Sequence, residues 1–166
     1  FIVFLKYLLI FDETIGRFIF LNICIFIPIV FFKILKEKIN INIFLIFYLS
    51  NFFFLSPYFR STSIWPGDEN IAILFFLISI YFYVSFLKVK SEKDKLVCIL
   101  FNILFLAISS YFRPVYSIFS IFFFYELVLK NIKLNYFLFY ILISILLALP
   151  AFYYVFVLKV TFFFDS

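Results

Sequence analysis

The sequence is divided into apolar runs whose lengths match the thickness of a lipid bilayer. A helix needs about 20 mainly apolar residues, and no fewer than about 17, to cross roughly 30 Å of hydrocarbon. Charged and turn residues separate six runs close to this length, at 18–35, 39–56, 70–87, 96–112, 114–129 and 134–158. We therefore predict an all-α, polytopic transmembrane helix bundle of about six spans, which forms a single membrane domain over 1–166.

Composition agrees with a lipid environment and excludes several functions. Of the 166 residues, 67% are hydrophobic and 14% are charged, and one soluble core of this size cannot bury so much apolar surface. The chain contains no His, which excludes an imidazole base and a His-containing metal site. Cys24 and Cys98 lie 74 positions apart in apolar runs, so they predict neither a disulfide framework nor a zinc site.

The N-terminal stretch predicts a further helix before the six runs. The first residue is Phe and the sequence contains no Met, so we expect an internal fragment of a longer protein. A shorter apolar stretch, 1–11, is either the remainder of an earlier span or a helix that lies in the membrane interface. Lys6 in the middle of this stretch favours the interfacial position.

The basic residues of the loops predict how the bundle is oriented. Short cytoplasmic loops carry an excess of Lys and Arg, so the loops richest in Lys are predicted to be cytoplasmic. The net charge of +5 is then a topology signal, and no nucleic-acid partner is expected. We predict an integral, multi-pass protein of a membrane such as the bacterial inner membrane. The opposite loops hold four basic residues, which are Arg17, Arg60, Arg113 and Lys159. The alternate loops hold nine Lys, which are Lys33, Lys36, Lys38, Lys88, Lys90, Lys93, Lys95, Lys130 and Lys133.

The opposite, non-cytoplasmic loops hold a different set of charges. All three Arg of the chain and five of its nine acidic residues lie on this side. Since carboxylates transfer protons and Arg binds phosphate, we expect any chemistry to take place there. The charged residues concerned are Arg17, Arg60, Arg113, Asp12, Glu13, Asp68, Glu69 and Asp165.

The loop LSPYFRSTSIWPGDEN, at 55–70, is the most polar part of this side. Its Pro66-Gly67 pair predicts a tight turn in which Gly67 takes a positive φ. Asp68 then falls at the N-cap of the next helix, with Glu69 in the first turn. Two interpretations stay open. Either these acids only cap the helix and complement its dipole, or Asp68 binds a metal ion or accepts a proton from a sugar hydroxyl.

Two of the arginines lie where a helix reaches the membrane surface. Arg60 follows the second run, and Arg113 lies in the tight reversal SSYFRPV, where Pro114 is well suited to open the next helix. Each Arg can anchor to lipid headgroups or reach the interface by snorkelling. Each can instead grip a lipid-linked phosphate with its planar fork, a task that suits Arg better than Lys.

Three stretches resemble segments of a known family. They are DETIGRFIFLNICIFIPIVFFKILK, LSPYFRSTSIWPGDENIAILFFLISIYF and ILFLAISSYFRPVYSIFSIFFF, and together they cover roughly residues 10–130. They resemble the close of a large outer loop, the next outer reversal, and a later helix whose outer end carries a basic residue. The family is the C-type superfamily of polytopic glycosyltransferases, including family 39 and the aminoarabinose or dolichyl-phosphate sugar transferases. The predicted orientation agrees with that of the family.

The resemblance implies an enzyme that moves a sugar from a polyprenyl-phosphate donor to an acceptor on the non-cytoplasmic face. It implies catalytic roles for Asp68 and Glu69, with Asp68 also a ligand of a divalent metal ion, the only cofactor expected. Arg113 and Arg17 match basic residues of the family, and together with Arg60 they are predicted to bind the substrate phosphate. The principal catalytic acid of the family lies upstream of this sequence, so the fragment alone is expected to be inactive.

Two functions from other classes are alternatives. A lipid-linked oligosaccharide flippase or another membrane transporter tends to place ionisable groups near the midplane and to break its helices there. In this chain the charges concentrate at one surface and the spans carry few of them, which favours the enzyme. The second alternative is a non-catalytic membrane subunit. Membrane lipid is a partner in every case, and the oligomeric state is not predicted.

Overall fold

The computed structural model describes residues 13–39, 41–64, 67–130 and 134–153. Within these ranges the chain is almost entirely helical and contains no strand, so the predicted all-α fold is confirmed. The described ranges contain seven α-helices: α1 (Glu13–Lys38), α2 (Ile43–Asn51), α3 (Pro57–Ile64), α4 (Asp68–Lys88), α5 (Glu92–Phe112), α6 (Phe119–Phe124) and α7 (Leu134–Phe152). The predictions that lie outside the described residues concern 1–11, Asp12, the side chain of Glu13, Pro66, Lys133, Lys159 and Asp165.

Within the part of the chain that the structure describes, four helices are long and apolar enough to cross a membrane. They are α1 from Gly16 to Lys38, α4, α5 and α7. The 21 residues of α4 and of α5 make each helix about 31 Å long, which equals the thickness of the hydrocarbon layer. Four of the predicted runs correspond to these helices, and the chain is a multi-pass membrane protein.

The second predicted run, 39–56, is not one straight helix. Helix α2 continues as a 3₁₀ turn over Phe52–Leu55, and Ser56 is extended before α3 starts at Pro57. The bend of 67° has a local cause, because a residue that precedes proline is disfavoured in the helical conformation. Ser56 Oγ then accepts a hydrogen bond from the Phe59 N–H (3.3 Å), which starts α3. Together α2 and α3 form a broken span or a re-entrant loop.

The fifth predicted run, 114–129, is helical but changes type twice. It starts as a 3₁₀ helix (Pro114–Ile118), continues as α6, and ends in a π-helical turn (Tyr125–Leu129). Pro114 opens this segment as expected, since the first helical N–H has no partner to lose. The segment is shorter than the spanning helices. The described residues therefore contain four helices, or five if the bent pair is one span, that are long and apolar enough to cross a membrane, where the sequence predicts about six.

Helix α4 lies at the centre of the bundle. One apolar core joins it to α1 and α3, through residues such as Cys24, Phe59 and Leu74. A second core joins it to α5, α6 and α7, through residues such as Phe86 and Ile103. The most extensive contact is with α5, which runs antiparallel to α4. This hairpin brings the first turn of α4 beside the last turn of α5.

Buried hydrogen bonds set the register of the α4–α5 hairpin. Midway along it, Asn102 Nδ2 donates to the carbonyl and to the hydroxyl of Ser79 (2.9 Å each), and Ser79 Oγ donates to the Asn102 carbonyl (3.0 Å). Nearer one end, Ser109 Oγ donates to the Ala72 carbonyl (2.8 Å). In lipid the apolar surroundings provide no hydrophobic driving force between helices. Close packing and hydrogen bonds such as these therefore hold the helices together.

Candidate functional site

An ion pair joins two of the predicted site residues at one end of the α4–α5 hairpin. Arg113 Nη2 donates a hydrogen bond to Glu69 Oε1, although the two residues lie 44 positions apart in the chain. The side chain of Arg113 is 43% exposed and that of Glu69 is 33% exposed, so the pair lies at the rim of the bundle rather than in its core. We call this end of the bundle, which holds Arg113 and the first turn of α4, the arginine end.

The backbone around Arg113 keeps this residue at the edge of the hairpin. Helix α5 ends at Phe112, and the Arg113 N–H completes the last turn by donating to the Ser109 carbonyl (2.9 Å). Arg113 itself is extended, with φ of −141° and ψ of 105°, because Pro114 follows it. A long side chain at this position can therefore reach the first turn of α4 across the open end of the hairpin.

Arg113 keeps unused hydrogen-bonding capacity. Its Nε is buried and has no hydrogen-bond partner among the described residues. A guanidinium offers five N–H donors in a planar fork, whose geometry matches two oxygens of a phosphate. Because the bond to Glu69 uses Nη2, the same guanidinium can bind a further oxygen-rich anion.

The start of α4 differs from the sequence prediction at Gly67 and Asp68. Asp68 is the first residue of the helix rather than its N-cap, and its side chain is exposed. Gly67 is the N-cap, and its φ of −119° with ψ of 157° is extended, so the predicted positive φ is wrong. The dipole of α4 favours a carboxylate at this position. Asp68 thus presents an exposed acid beside Glu69, which pairs with Arg113.

The other two predicted arginines are not partners in the Arg113–Glu69 pair. Arg60 is exposed on α3, beside a small cavity of about 170 Å³ between α1 and α3. Arg17 is half-buried near the start of α1. Cys24, seven residues farther along α1, contacts Asn70 in the first turn of α4. Arg17 therefore lies at the arginine end, and its predicted role in phosphate binding stays a prediction.

A buried polar cluster that the sequence patterns do not predict holds the first turn of α4 in place. Asn70 Nδ2 donates to Ser63 Oγ (3.2 Å) and contacts Cys24 Sγ (3.5 Å). Thr62 Oγ1 donates to Asn70 Oδ1 (3.4 Å). These contacts join α1, α3 and α4 directly behind the ion pair. The signal for the cluster was present, since Asn70 is a polar residue that follows the acidic pair into an otherwise apolar run.

A groove lies between α5, the Pro114–Ile118 turn, α6 and α7. Its volume is about 440 Å³, within the range of about 300–1,000 Å³ that is typical of small-molecule sites. Two tyrosines bridge its walls: Tyr111 OH donates to the Leu147 carbonyl, and Tyr140 OH donates to the Ser120 carbonyl (3.1 Å). Small residues, several with hydroxyl groups, leave the space open; they include Ala107, Ser110, Ser117, Ser144, Ala148 and Ala151.

The groove ends beside the arginine end of the bundle. Two of its lining residues, Tyr111 and Pro114, flank Arg113 closely in the chain. Its small residues repeat at intervals of three or four positions on α7, which places Ser144, Ala148 and Ala151 on one helix face. That spacing was the available sequence signal for a groove, but small residues at this spacing also mark closely packed helices.

Among the described residues, the arginine end shows no cluster of protein metal ligands. Within the described ranges, no three His, Cys, Asp or Glu side chains lie together as metal ligands would. Asp68 is an exposed carboxylate, whereas Glu69 is engaged by Arg113. A tightly held divalent cation usually needs several protein oxygens. Asp68 as a metal ligand stays a prediction.

Comparisons with known proteins leave the function to be argued from the site itself. No protein-family model matches the chain, and no curated protein or solved structure matches it. The resemblance to the C-type glycosyltransferases therefore stays a prediction that depends on the sequence patterns given above. The physical basis for a function is the ion pair at the rim, the groove beside it and the membrane-spanning helices that position both.

Proposed function

We propose that this chain is part of an integral-membrane glycosyltransferase whose donor is a polyprenyl-phosphate sugar. The observation that carries the proposal is the Arg113–Glu69 pair at the rim of the bundle, next to an apolar groove. A donor of this class combines a long apolar chain with an anionic phosphate. The groove offers a place for the chain, and the guanidinium of Arg113 offers a partner for the phosphate.

The dimensions of the groove support an apolar chain as its occupant. Its wall on α5 extends from Ile103 to Tyr111, which corresponds to about 12 Å along the helix axis, and Pro114 continues the wall beyond the end of α5. The hydroxyl-bearing side chains of this wall lie towards its Pro114 end, where Ser110 and Tyr111 are found. A lipid whose chain lies in the groove would therefore have its headgroup near Arg113.

In the proposed reaction, an acceptor hydroxyl oxygen bonds to the anomeric carbon while the bond from that carbon to the phosphate oxygen breaks. The hydroxyl proton passes to a carboxylate, and we assign this role to Asp68, the exposed acid of the pair. The polyprenyl phosphate leaves with the electron pair, and Arg113 stabilises its charge. The catalytic acid that the resemblance places upstream of this chain would complete the site.

We propose that the arginine end faces away from the cytoplasm, in a membrane such as the bacterial inner membrane. Support comes from the opposite end of the bundle, where α1 finishes with Lys36 and Lys38 and α4 finishes with Lys88. Lys93 and Lys95 open α5 at this same end. We call the end that holds these lysines the lysine end. Because Lys and Arg accumulate in short cytoplasmic loops, this distribution favours a lysine end that faces the cytoplasm.

The proposal is tested by transfer of a radiolabelled sugar from polyprenyl phosphate, catalysed by the full-length protein in membranes. We expect Asp68→Asn and Arg113→Ala each to lower transfer by at least about 100-fold without reducing membrane insertion. The first loses the proton acceptor, and the second loses the charge that stabilises the leaving phosphate. Lys130→Ala, which changes an exposed ion-pair residue at the lysine end, is the matched control and should keep its activity. Normal transfer by both site variants would contradict the assignment.

A transporter is the second candidate, and the break between α2 and α3 is the observation in its favour. Transporters often bind their substrates at broken helices. The break has a bend of 67°, but its residues, Phe52–Leu55 and Ser56, include no ionisable group. The same labelled donor separates the two functions in proteoliposomes. An enzyme releases polyprenyl phosphate, whereas a flippase moves the intact donor to the other leaflet.

A further inference from the structure

We infer that Glu69 makes the proposed site selective for phosphodiesters over phosphomonoesters, so that the site prefers the donor to the released polyprenyl phosphate. The inference rests on the proposed function. In the donor, both the sugar and the polyprenyl chain esterify the phosphate, which leaves a single negative charge. The released lipid is a phosphomonoester with about 1.5 to 2 negative charges at pH 7. The two ligands share the same chain and differ in the sugar and in the charge of the phosphate, and the charge is the difference that Glu69 can sense.

The charges within and beside the Arg113–Glu69 pair favour the less charged ligand; Arg17 and Arg60 lie on α1 and α3 and take no part in this pair. Arg113 is in contact with the carboxylate of Glu69, and Asp68 adds a second carboxylate in the same turn of α4. These three side chains together carry a formal charge of −1. The N-terminus of α4 contributes roughly half a positive charge. Such a site accommodates one added negative charge much more readily than two.

Glu69 can act on the ligand because it need not leave when the ligand binds. Its carboxylate uses Nη2 of Arg113, and the Arg113 side chain is 43% exposed. A phosphate can therefore bind the remaining terminal N–H groups of the same guanidinium while Glu69 stays in place. Two anions on one guanidinium lie about 5 Å apart, and at the high effective dielectric of an exposed site their repulsion changes affinity by about four- to tenfold per added charge.

The selectivity would assist turnover. Without Glu69, Arg113 would bind the more highly charged phosphomonoester more tightly, because a guanidinium attracts two negative charges more strongly than one. The product would then compete with fresh donor for the groove and for Arg113. With Glu69 in place, the charge that appears on the phosphate when the sugar leaves is repelled, which favours release of the product.

The experiment measures two dissociation constants for the full-length protein in neutral detergent micelles at pH 8. The probes are decaprenyl monophosphate and decaprenyl methyl phosphate, which share the chain and differ by one charge. Glu69→Gln keeps an oxygen that can accept a hydrogen bond from Arg113 but removes the negative charge. We expect this variant to shift the ratio of the two constants about four- to tenfold in favour of the monophosphate. Asp94→Asn removes an acid from the first turn of α5, at the other end of the hairpin, and should leave the ratio unchanged.

Arg113→Ala separates the inference from the function on which it rests. This variant should weaken the binding of both probes, since it removes the cation that binds the phosphate. If Arg113→Ala weakens both probes but Glu69→Gln leaves their ratio at the wild-type value, the inference is overturned and the proposed function stands. If the wild-type protein binds neither probe, both are overturned. If Glu69→Gln binds neither probe while the protein remains helical and monodisperse, Glu69 only holds Arg113 in place and the inference is again overturned.

Discussion

The buried hydrogen bonds between Ser79 and Asn102 allow two contributions to the stability of the α4–α5 hairpin, hydrogen bonding and packing, to be measured separately. Asn102 is fully buried, donates twice to Ser79, and has no partner for its Oδ1 among the described residues. Asn102→Leu removes the amide but keeps a branched side chain with the same number of heavy atoms, whereas Asn102→Ala leaves a cavity. In both variants Ser79 keeps a partner, because its Oγ donates to the backbone carbonyl of residue 102 (3.0 Å).

The two variants should differ in stability for reasons that can be estimated. Hydrogen bonds between membrane helices contribute about 0.6 kcal/mol on average, so the loss of both Asn102 side-chain bonds should cost about 1 kcal/mol. In Asn102→Leu this loss is offset, because a buried oxygen without a partner costs about 1 kcal/mol or more and is removed as well. In Asn102→Ala the same two terms cancel, but the missing side chain leaves a cavity that costs about 1–2 kcal/mol. We expect Asn102→Leu to lie within about 1 kcal/mol of the wild type.

The measurement is the free energy of unfolding in mixed micelles with increasing sodium dodecyl sulfate, followed by far-ultraviolet circular dichroism. Ser109→Ala removes the single bond to the Ala72 carbonyl and calibrates one buried bond, at about 0.6 kcal/mol. The reasoning is refuted if Asn102→Leu proves as unstable as Asn102→Ala. That result would mean that the hydrogen bonds, and not the volume they occupy, hold the hairpin together.

Two further predictions concern the groove and the orientation of the bundle. Ala148→Leu enlarges a side chain on the groove wall, so it should weaken decaprenyl monophosphate binding several-fold while the helix content stays the same; unchanged binding would show that the chain lies elsewhere. In a background without Cys24 and Cys98, single cysteines at the exposed positions Ser61 and Lys90 should react with a membrane-impermeant thiol reagent from opposite sides of the membrane. Labelling from one side alone would contradict the proposed orientation.

The spanning helices were predictable because hydropathy averages over about 20 residues, so no single side chain decides the result. The broken segments were not predictable in the same way. Run 39–56 has the same apolar character as its neighbours, and only Ser56-Pro57 marks the place where the chain turns by 67°. The error at Gly67 has a similar origin, since Gly and Asp both serve as N-caps and sequence alone leaves the boundary uncertain by a residue.

The candidate site was predictable as separate residues but not as an arrangement. Arg113 and Glu69 stand out because charges are rare in this chain and both fall at predicted helix ends. Their contact depends on the register between α4 and α5 across 44 positions of sequence, which hydropathy does not determine. The groove was beyond prediction for the same reason. Its walls come from four helical segments, and its volume depends on how closely they approach.

Phenylalanine contributes to that register. Five rings form a stacked ladder along the α4–α5 hairpin, with neighbouring centroids 4.9–6.1 Å apart and interplanar angles of 5–23°. Aromatic pairs of this kind contribute about 0.5–1.5 kcal/mol each beyond the area that they bury. The ladder extends from about the middle of the hairpin to its arginine end. Its members are Phe75, Phe82, Phe101, Phe105 and Phe112.

The ladder and the polar bonds together explain how Arg113 comes to meet Glu69. A slip of one residue between the helices would rotate every side chain of α5 by about 100°. The slip would separate the stacked rings and break the bonds of Asn102 and Ser109, so the correct register is favoured at several points at once. The same slip would also move Arg113 away from Glu69. The apolar and weakly polar residues of the hairpin therefore position the charges at its rim, and the chemistry proposed for that rim depends on their packing.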